Sequence, residues 1–281
     1  MTFPALSVER LLEAGVAVGP VLGLETGGPV ASLGVVARGR IQAVLSRPLI
    51  SHCAGLPDAV NEVLDGAGFK LRDLAAIAVG IGPGSFTGLR VGLSYAKGLV
   101  SALGMAIVGV SSLEAIALCA AREARAGMTV CPIIDARRGE LYTALYRSSG
   151  DALERVTGDL AVSVDELAAR LSGDVIVVGE AMGEEVRTAA QARGYRIEVV
   201  TGAAELSLRG SLVAVLGAGR VASHEIDHAA TLEPLYVRAA DAQVKSSPAS
   251  NNGASGNSEV KPEVEANGTS RRGIDPALRR A

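Results

Sequence analysis

Gly80-Ile-Gly-Pro-Gly-Ser-Phe-Thr-Gly-Leu-Arg90 follows the apolar run Ala75–Ile81 and leads into a helical pattern over Gly88–Leu103. The run reads as a buried strand, and Gly82 and Gly84 permit a tight strand-to-helix turn with exposed amides. Ser85 or Thr87 can cap the helix that follows. The N-terminus of such a helix favours an anion, so Gly82, Gly84, Ser85, Phe86 and Thr87 are a candidate anion- or nucleotide-contacting turn. A tight turn with no ligand would need the same glycines. The stretch has neither the Lys-Ser/Thr pair of a P-loop nor the GxGxxG spacing of a dinucleotide fingerprint.

Inside the helix, Gly88, Gly92 and Ala96 recur every four residues and share one face. Interior glycines cost roughly 1 kcal/mol each relative to alanine, so close approach of another element is expected there. Leu89, Leu93, Val100 and Leu103 form an adjoining apolar stripe. This face can pack on the protein's own sheet. Alternatively, with Leu56, Val60 and Val63 of a helix over Ala54–Ala67, it forms a partner-binding interface. The second reading predicts that Gly92→Leu abolishes partner binding and leaves the fold intact.

Outward from this stretch the pattern occurs twice. Val21–Leu24, Val30–Ala37 and Ile41–Leu45 read as a three-stranded meander. The 54–67 helix, the Ala75–Ile81 strand, the Gly88–Leu103 helix and a strand at Ala106–Val110 follow, and Ser111-Ser-Leu-Glu114 fits a capping box. The second half starts with Val130–Asp135, turns at Arg137-Arg138-Gly139 into Glu140–Tyr146, and continues with a strand at Arg155–Leu160. Ser163-Val-Asp-Glu166 is a second capping box, opening a helix to Leu171. Asp174–Val178, Met182–Arg193, Arg196–Val200 and a closing helix at Leu206–Val221 complete it.

Each half reads β-β-β-α-β-α-β-α, an α/β architecture of mixed sheets flanked by helices. This order resembles the ribonuclease-H-like fold. Two such lobes in tandem resemble the actin/sugar-kinase/Hsp70 superfamily, whose members bind nucleotide between the lobes. The expected organisation is a leader at 1–19, an N-terminal partner-binding lobe at 20–122, a C-terminal lobe at 123–244 and a disordered tail at 245–281. The tail is rich in Ser, Asn, Gly and Pro and loses apolar periodicity.

The chain has 281 residues, 48% of them hydrophobic and only 3% aromatic, with no Trp. That argues against aromatic platforms for single-stranded nucleic acid. The tail carries a net +2, so the overall −3 leaves −5 on the body, a poor surface for gripping phosphate backbones. Cys53, Cys119 and Cys131 are odd in number and lack metal spacing. The N-terminus shows no signal-peptide pattern and no apolar run is long enough to span a bilayer, so a soluble cytoplasmic protein is expected.

The other constellations carry less chemistry. Glu25-Thr26-Gly27 ends the first strand where this superfamily places an acid and phosphate-contacting hydroxyls. His224-Glu-Ile-Asp-His228 has the spacing of two metal ligands on a helix, and equally that of an exposed connecting turn. Asp135 and Glu140 could pair as carboxylates, but Arg137 and Arg138 between them suggest a charged hairpin tip. The chain has no GxSxG elbow and no convincing Cys/His or Ser/His arrangement. Neither a catalytic residue nor a metal site is therefore assigned.

Gly82-Pro-Gly-Ser-Phe-Thr-Gly-Leu-Arg90 with Gly92, Ala96-Lys-Gly98 and Gly109-Val-Ser-Ser-Leu-Glu114 closely resembles the bacterial TsaB (YeaZ) family. Asp135-Ala-Arg-Arg-Gly-Glu140 with Tyr142, and Glu233-Pro-Leu-Tyr-Val-Arg238, match further signatures of that family. The resemblance spans roughly residues 20–240. It departs at Glu25-Thr26-Gly27, where the family has Asp-Thr-Ser or Asp-Thr-Thr. The resemblance implies a non-catalytic subunit in the synthesis of threonylcarbamoyladenosine beside the tRNA anticodon. It would bind and activate the catalytic paralogue TsaD, with the ATPase TsaE joining in a ternary complex. In that family N-lobe helices mediate dimerisation, which also leaves room for a homodimer. The resemblance implies no cofactor of its own, leaves ATP open at the complex junction, and brings tRNA in only indirectly. The alternative is an independent nucleotide-binding kinase or peptidase of the same superfamily.

Overall fold

The computed structural model describes residues 6–48, 55–179, 182–200 and 207–237. His52, Cys53, Arg238 and the 245–281 tail lie outside the described residues. The described residues belong to a single compact unit spanning 1–240.

The first half is built on the expected meander. Strands β1 (Val21–Glu25), β2 (Val30–Ala37) and β3 (Arg40–Pro48) run antiparallel. Arg38 and Gly39 join β2 to β3 with φ of +53° and +69°, the left-handed pair that matches strand twist in a two-residue hairpin. Helix α2 (Leu56–Ala67), strand β4 (Ala76–Gly82), helix α3 (Phe86–Leu103) and strand β5 (Ala106–Ser111) follow. The sheet order is β3-β2-β1-β4-β5, with β1, β4 and β5 parallel. Helices α2 and α3 cover one face and bury Val60, Val63, Leu93 and Ala96 against Leu22, Leu24, Ile77 and Val79.

The second half repeats this order after helix α4 (Ser112–Cys119). It contains β6 (Thr129–Arg137), β7 (Glu140–Thr143), β8 (Tyr146–Ser148), β9 (Leu153–Arg155), β10 (Leu160–Ser163), α5 (Val164–Arg170), β11 (Asp174–Gly179), α6 (Gly183–Gln191) and β12 (Arg196–Val200). Its sheet runs β10-β7-β6-β11-β12, again with a meander on one side and parallel strands on the other. The expected strand 140–146 is broken, because the Leu145 N–H donates to Thr157 Oγ1 at 2.9 Å. The expected strand 155–160 is likewise divided between β9 and β10.

The last helix, α7 (Arg209–Ala222), departs most from expectation. It does not close the second half but lies on the first sheet, on the face opposite α2 and α3. Glycines explain the fit: Gly23 of β1 and Gly34 of β2 leave room for the α7 backbone. A Cβ on Gly34 would come within 2.7 Å of Ser211 Cβ, and one on Gly23 within 2.5 Å of Ala214 N. Helix α4 packs in the reverse sense, against β6 of the second sheet and against α7. The halves therefore share one core in which Ile116, Val130, Ile176 and Val215 are all buried. Helix α1 (Val8–Ala14), in the expected leader, lies on α7. Leu6 pairs with Leu153 through two 2.7 Å backbone hydrogen bonds.

The two capping boxes part company. At α5, Ser163 Oγ accepts from the Glu166 N–H (3.2 Å) and Glu166 Oε2 accepts from the Ser163 N–H (2.9 Å), as expected. At α4, Ser111 makes no side-chain cap, and Glu114 instead accepts from Arg220 Nη2 at 2.8 Å. A charged donor from another element outcompetes the local amide.

Cys131 lies fully buried on β6, and burial pushes its thiol up to about 12. Only the thiolate reacts with alkylating reagents. In the native protein at pH 8, iodoacetamide is therefore expected to leave Cys131 unlabelled until global unfolding, as checked by peptide mass spectrometry across a urea series.

Candidate functional site

The α3 helix starts at Phe86, capped by Ser85, whose Oγ accepts from the Gly88 N–H at 3.3 Å. Its small-residue face is turned inward. Thr26, at the end of β1, donates its hydroxyl to Gly88 O at 2.8 Å. A Cβ on Gly88 would overlap Thr26 O, and one on Gly92 would overlap Thr26 Oγ1. Leu56, Val60, Val63, Gly88, Leu89, Gly92, Leu93, Ala96 and Val100 are all buried in this protein's own core. These residues, expected to offer a partner surface, instead pack on the chain's own sheet and the β1 turn. Gly92→Leu consequently tests folding, not association.

The outward face of α3 is the one left open. Phe86, Thr87, Arg90, Val91, Ser94 and Tyr95 line a groove of about 580 Å³, with Leu56 of α2 at its floor. Burial raises the Tyr95 hydroxyl above its ordinary pKa. The late segment Glu233-Pro-Leu-Tyr-Val237 crosses the start of this helix. The Leu235 N–H donates to Ile81 O at 2.7 Å, which sets Tyr236 beside Phe86 with ring centroids 5.6 Å apart. The Arg90 guanidinium lies 3.8 Å over the Phe86 ring, and its Nε donates to Tyr236 Oη at 3.2 Å. Phe86 and Tyr236 stay 44% and 42% exposed. This stack joins residues 146 positions apart in sequence. Sequence reasoning missed it because helical period shows two faces without saying which one meets the sheet.

The 82–87 turn is held by its own chain. The Ser85 N–H donates to Gly27 O at 2.8 Å, and Gly84 passes so close that a Cβ would lie 2.7 Å from that oxygen. Gly82, with φ of +109°, follows the same logic. Gly84, Ser85, Phe86 and Thr87 line a second cavity of about 710 Å³, with Gly27 and Gly28 on one side and Asp135, Arg137 and Tyr142 on the other. It sits where the two halves meet.

Glu25 does not face this cavity as a ligand would. It is buried, with Oε1 accepting from the Gly27 N–H (2.7 Å) and Oε2 from the Ser112 hydroxyl (2.6 Å). The Arg209 guanidinium is buried in its field. Burial lowers the Arg209 pKa, and Glu25 partly opposes that shift. The β6–β7 tip is the charged hairpin expected: Asp135 Oδ1 accepts from the Arg137 N–H at 2.7 Å and Oδ2 pairs with Arg137 Nη1 at 3.1 Å. His224 and His228 lie beyond α7 in an exposed connection, not on a helix, and His224 has φ of +60°. Asp227 between them accepts from the Gly109 N–H at 2.8 Å. Among the described residues no three His, Cys, Asp or Glu side chains gather as a metal site, and no helix is long and apolar enough to cross a membrane.

Comparison with known proteins places this geometry in context. Residues 50–271 match the family TsaD, tRNA N6-adenosine threonylcarbamoyltransferase. The Bacillus subtilis tRNA threonylcarbamoyladenosine biosynthesis protein TsaB is 33% identical over 198 residues, 69% of this chain and 83% of that protein. The Escherichia coli protein of the same name is 32% identical over 163 residues, 57% of this chain and 70% of that one. The solved structure of YeaZ from Pseudomonas aeruginosa superposes with a TM-score of 0.63 at 27% identity, covering 78% of this chain and 99% of the other.

Proposed function

Since the chain belongs to the TsaB (YeaZ) family, we propose that it takes part in tRNA threonylcarbamoyladenosine synthesis as a non-catalytic subunit that binds and activates TsaD through the outward face of α2 and α3. The observation that carries this reading is the open α3 groove with its stacked Phe86, Arg90 and Tyr236. Exposed aromatic and arginine side chains around an apolar depression are the composition of interface anchors. The inward use of Glu25 supports an accessory role. A carboxylate occupied by a backbone amide and a buried hydroxyl is not presented to a metal–phosphate ligand. The acidic body supports contact with tRNA through TsaD instead of directly. TsaE joins this pair in the same proposal, and the subunit needs no cofactor of its own.

Ser94 tests the docking face because it lines the groove, is exposed and lies outside the core. Ser94→Arg fills the groove and is expected to weaken TsaD binding about 100-fold, the size of an interface hot-spot loss, with the melting temperature unchanged. Isothermal titration with purified TsaD reads the affinity. Mass spectrometry of tRNA nucleosides from cells carrying the variant reads the lost modification. Unchanged affinity would exclude this face.

A further inference from the structure

The Arg90 side chain is held in a way that specifies what it binds. Its Cζ lies over the Phe86 ring, 3.8 Å from the centroid, and its Nε donates to Tyr236 Oη at 3.2 Å. Among the described residues neither Nη has a hydrogen-bond or ion-pair partner. A guanidinium fixed on a ring and anchored through Nε presents its two Nη groups as a ready fork. Little rotamer freedom then remains to be lost on binding. Arg90 itself lines the groove, together with Leu56, Val91 and Tyr95.

We propose that Arg90 is the receptor for a carboxylate side chain of the docked partner protein, which places an apolar side chain in the groove beside it. This rests on the assignment of the α2–α3 face as the docking surface. A planar guanidinium and a carboxylate form two parallel N–H···O bonds. The apolar groove shields that pair from water and accounts for the second half of the recognition element. A nucleic-acid phosphate would meet the same fork, but on the exposed face of α2 Asp58 stands in line with Glu62 and Asp65, which pair with Arg47 and Lys70, so the face carries both charge signs and not the basic stripe that holds a polyanion. These acids suit a partner that carries both charge signs.

The experiment measures Kd for TsaD by titration at low and high salt, using the full chain and four exposed-site variants checked for unchanged melting temperature. Arg90→Glu is expected to bind at least about 100-fold more weakly and Arg90→Lys about 10-fold, since an ammonium forms no bidentate fork. Arg90→Met should fall between these two and lose most of the salt dependence. Tyr236→Phe, which frees Nε but keeps the stack, should cost about 3-fold. Replacing the facing acid of TsaD by Arg should restore binding to Arg90→Glu. An Arg90→Glu affinity within about 3-fold of the parent, or equal losses and equal salt slopes for Glu and Met, overturns the carboxylate receptor while leaving the docking face standing. Binding of tRNA by the chain alone that Arg90→Glu abolishes overturns it in favour of phosphate. No binding of TsaD by the unaltered chain removes the docking assignment itself.

Discussion

Gly92→Leu is expected to leave no folded protein in which to examine complex formation. The first added carbon would overlap Thr26 Oγ1 and crowd its Cβ and Cγ2 at 3.3 Å. Thr26 cannot step aside, because it is fully buried and its hydroxyl is bonded to Gly88 O. Overpacking a closed core costs about 1–3 kcal/mol and more where backbone must shift. The better helix propensity of Leu returns only about 1 kcal/mol. The remaining Leu carbons and the broken hydroxyl contact add to the loss, against a whole-domain stability of about 5–15 kcal/mol. Soluble yield and circular dichroism decide the matter. Gly98 of the same helix is the control: it is exposed and an added Cβ would meet nothing within 4 Å. Gly98→Ala should therefore raise stability by up to about 1 kcal/mol. A soluble, cooperatively melting Gly92→Leu would contradict the packing described.

Glu114→Ala is the second large effect. Glu114 on α4 reaches Arg220 of α7 at 2.8 Å and Arg155 at 3.6 Å, and Arg155 also pairs with Asp159. Arg220 further donates to Gly109 O at 2.6 Å. These side chains tie the end of the first half, strand β9 with the turn after it, and the exchanged last helix into one low-water cluster. Removing the shared acid leaves two guanidinium groups short of their counter-charge, and breaking a buried pair in this way costs about 3–5 kcal/mol. Urea denaturation should show it as a lower midpoint at an unchanged slope. Burial raises the Glu114 pKa above its ordinary value, against the pull of Arg220 and Arg155. A carboxyl whose pKa is higher folded than unfolded contributes stability below the unfolded value and loses it as pH rises through the folded value. The stability difference between the parent and Glu114→Gln should therefore shrink as pH climbs above the ordinary Glu range.

Both predictions concern residues whose local pattern pointed elsewhere. Glu114 sits at the third helical position after Ser111, so the capping-box spacing is present, yet the carboxylate serves an arginine 106 residues later. Ser163 and Glu166 have the same spacing and no such competitor, and they form the box. Gly88, Gly92 and Ala96 announce a close approach, and a close approach is found. Its object is Thr26 of the same chain, not a second protein.

Periodicity and turn chemistry in the sequence were sufficient for the order of strands and helices in the first half and for the β6–β7 hairpin, α5, β11, α6 and β12 of the second, but not for the breaks that give β8, β9 and β10. They also placed the strand–turn–helix at 80–103 and narrowed its cap to Ser85 or Thr87, because these depend on neighbours a few residues away. Tertiary structure alone decided which half the last helix covers, which face of α3 stays open, where Glu25 points, and that Tyr236 meets Arg90. Each of these depends on pairs from about 60 to 190 residues apart, where a glycine in one strand makes room for a distant helix. Short-range pattern carries no record of such distant partners. A helical stripe shows that a face will be buried, and only the assembled core shows against what.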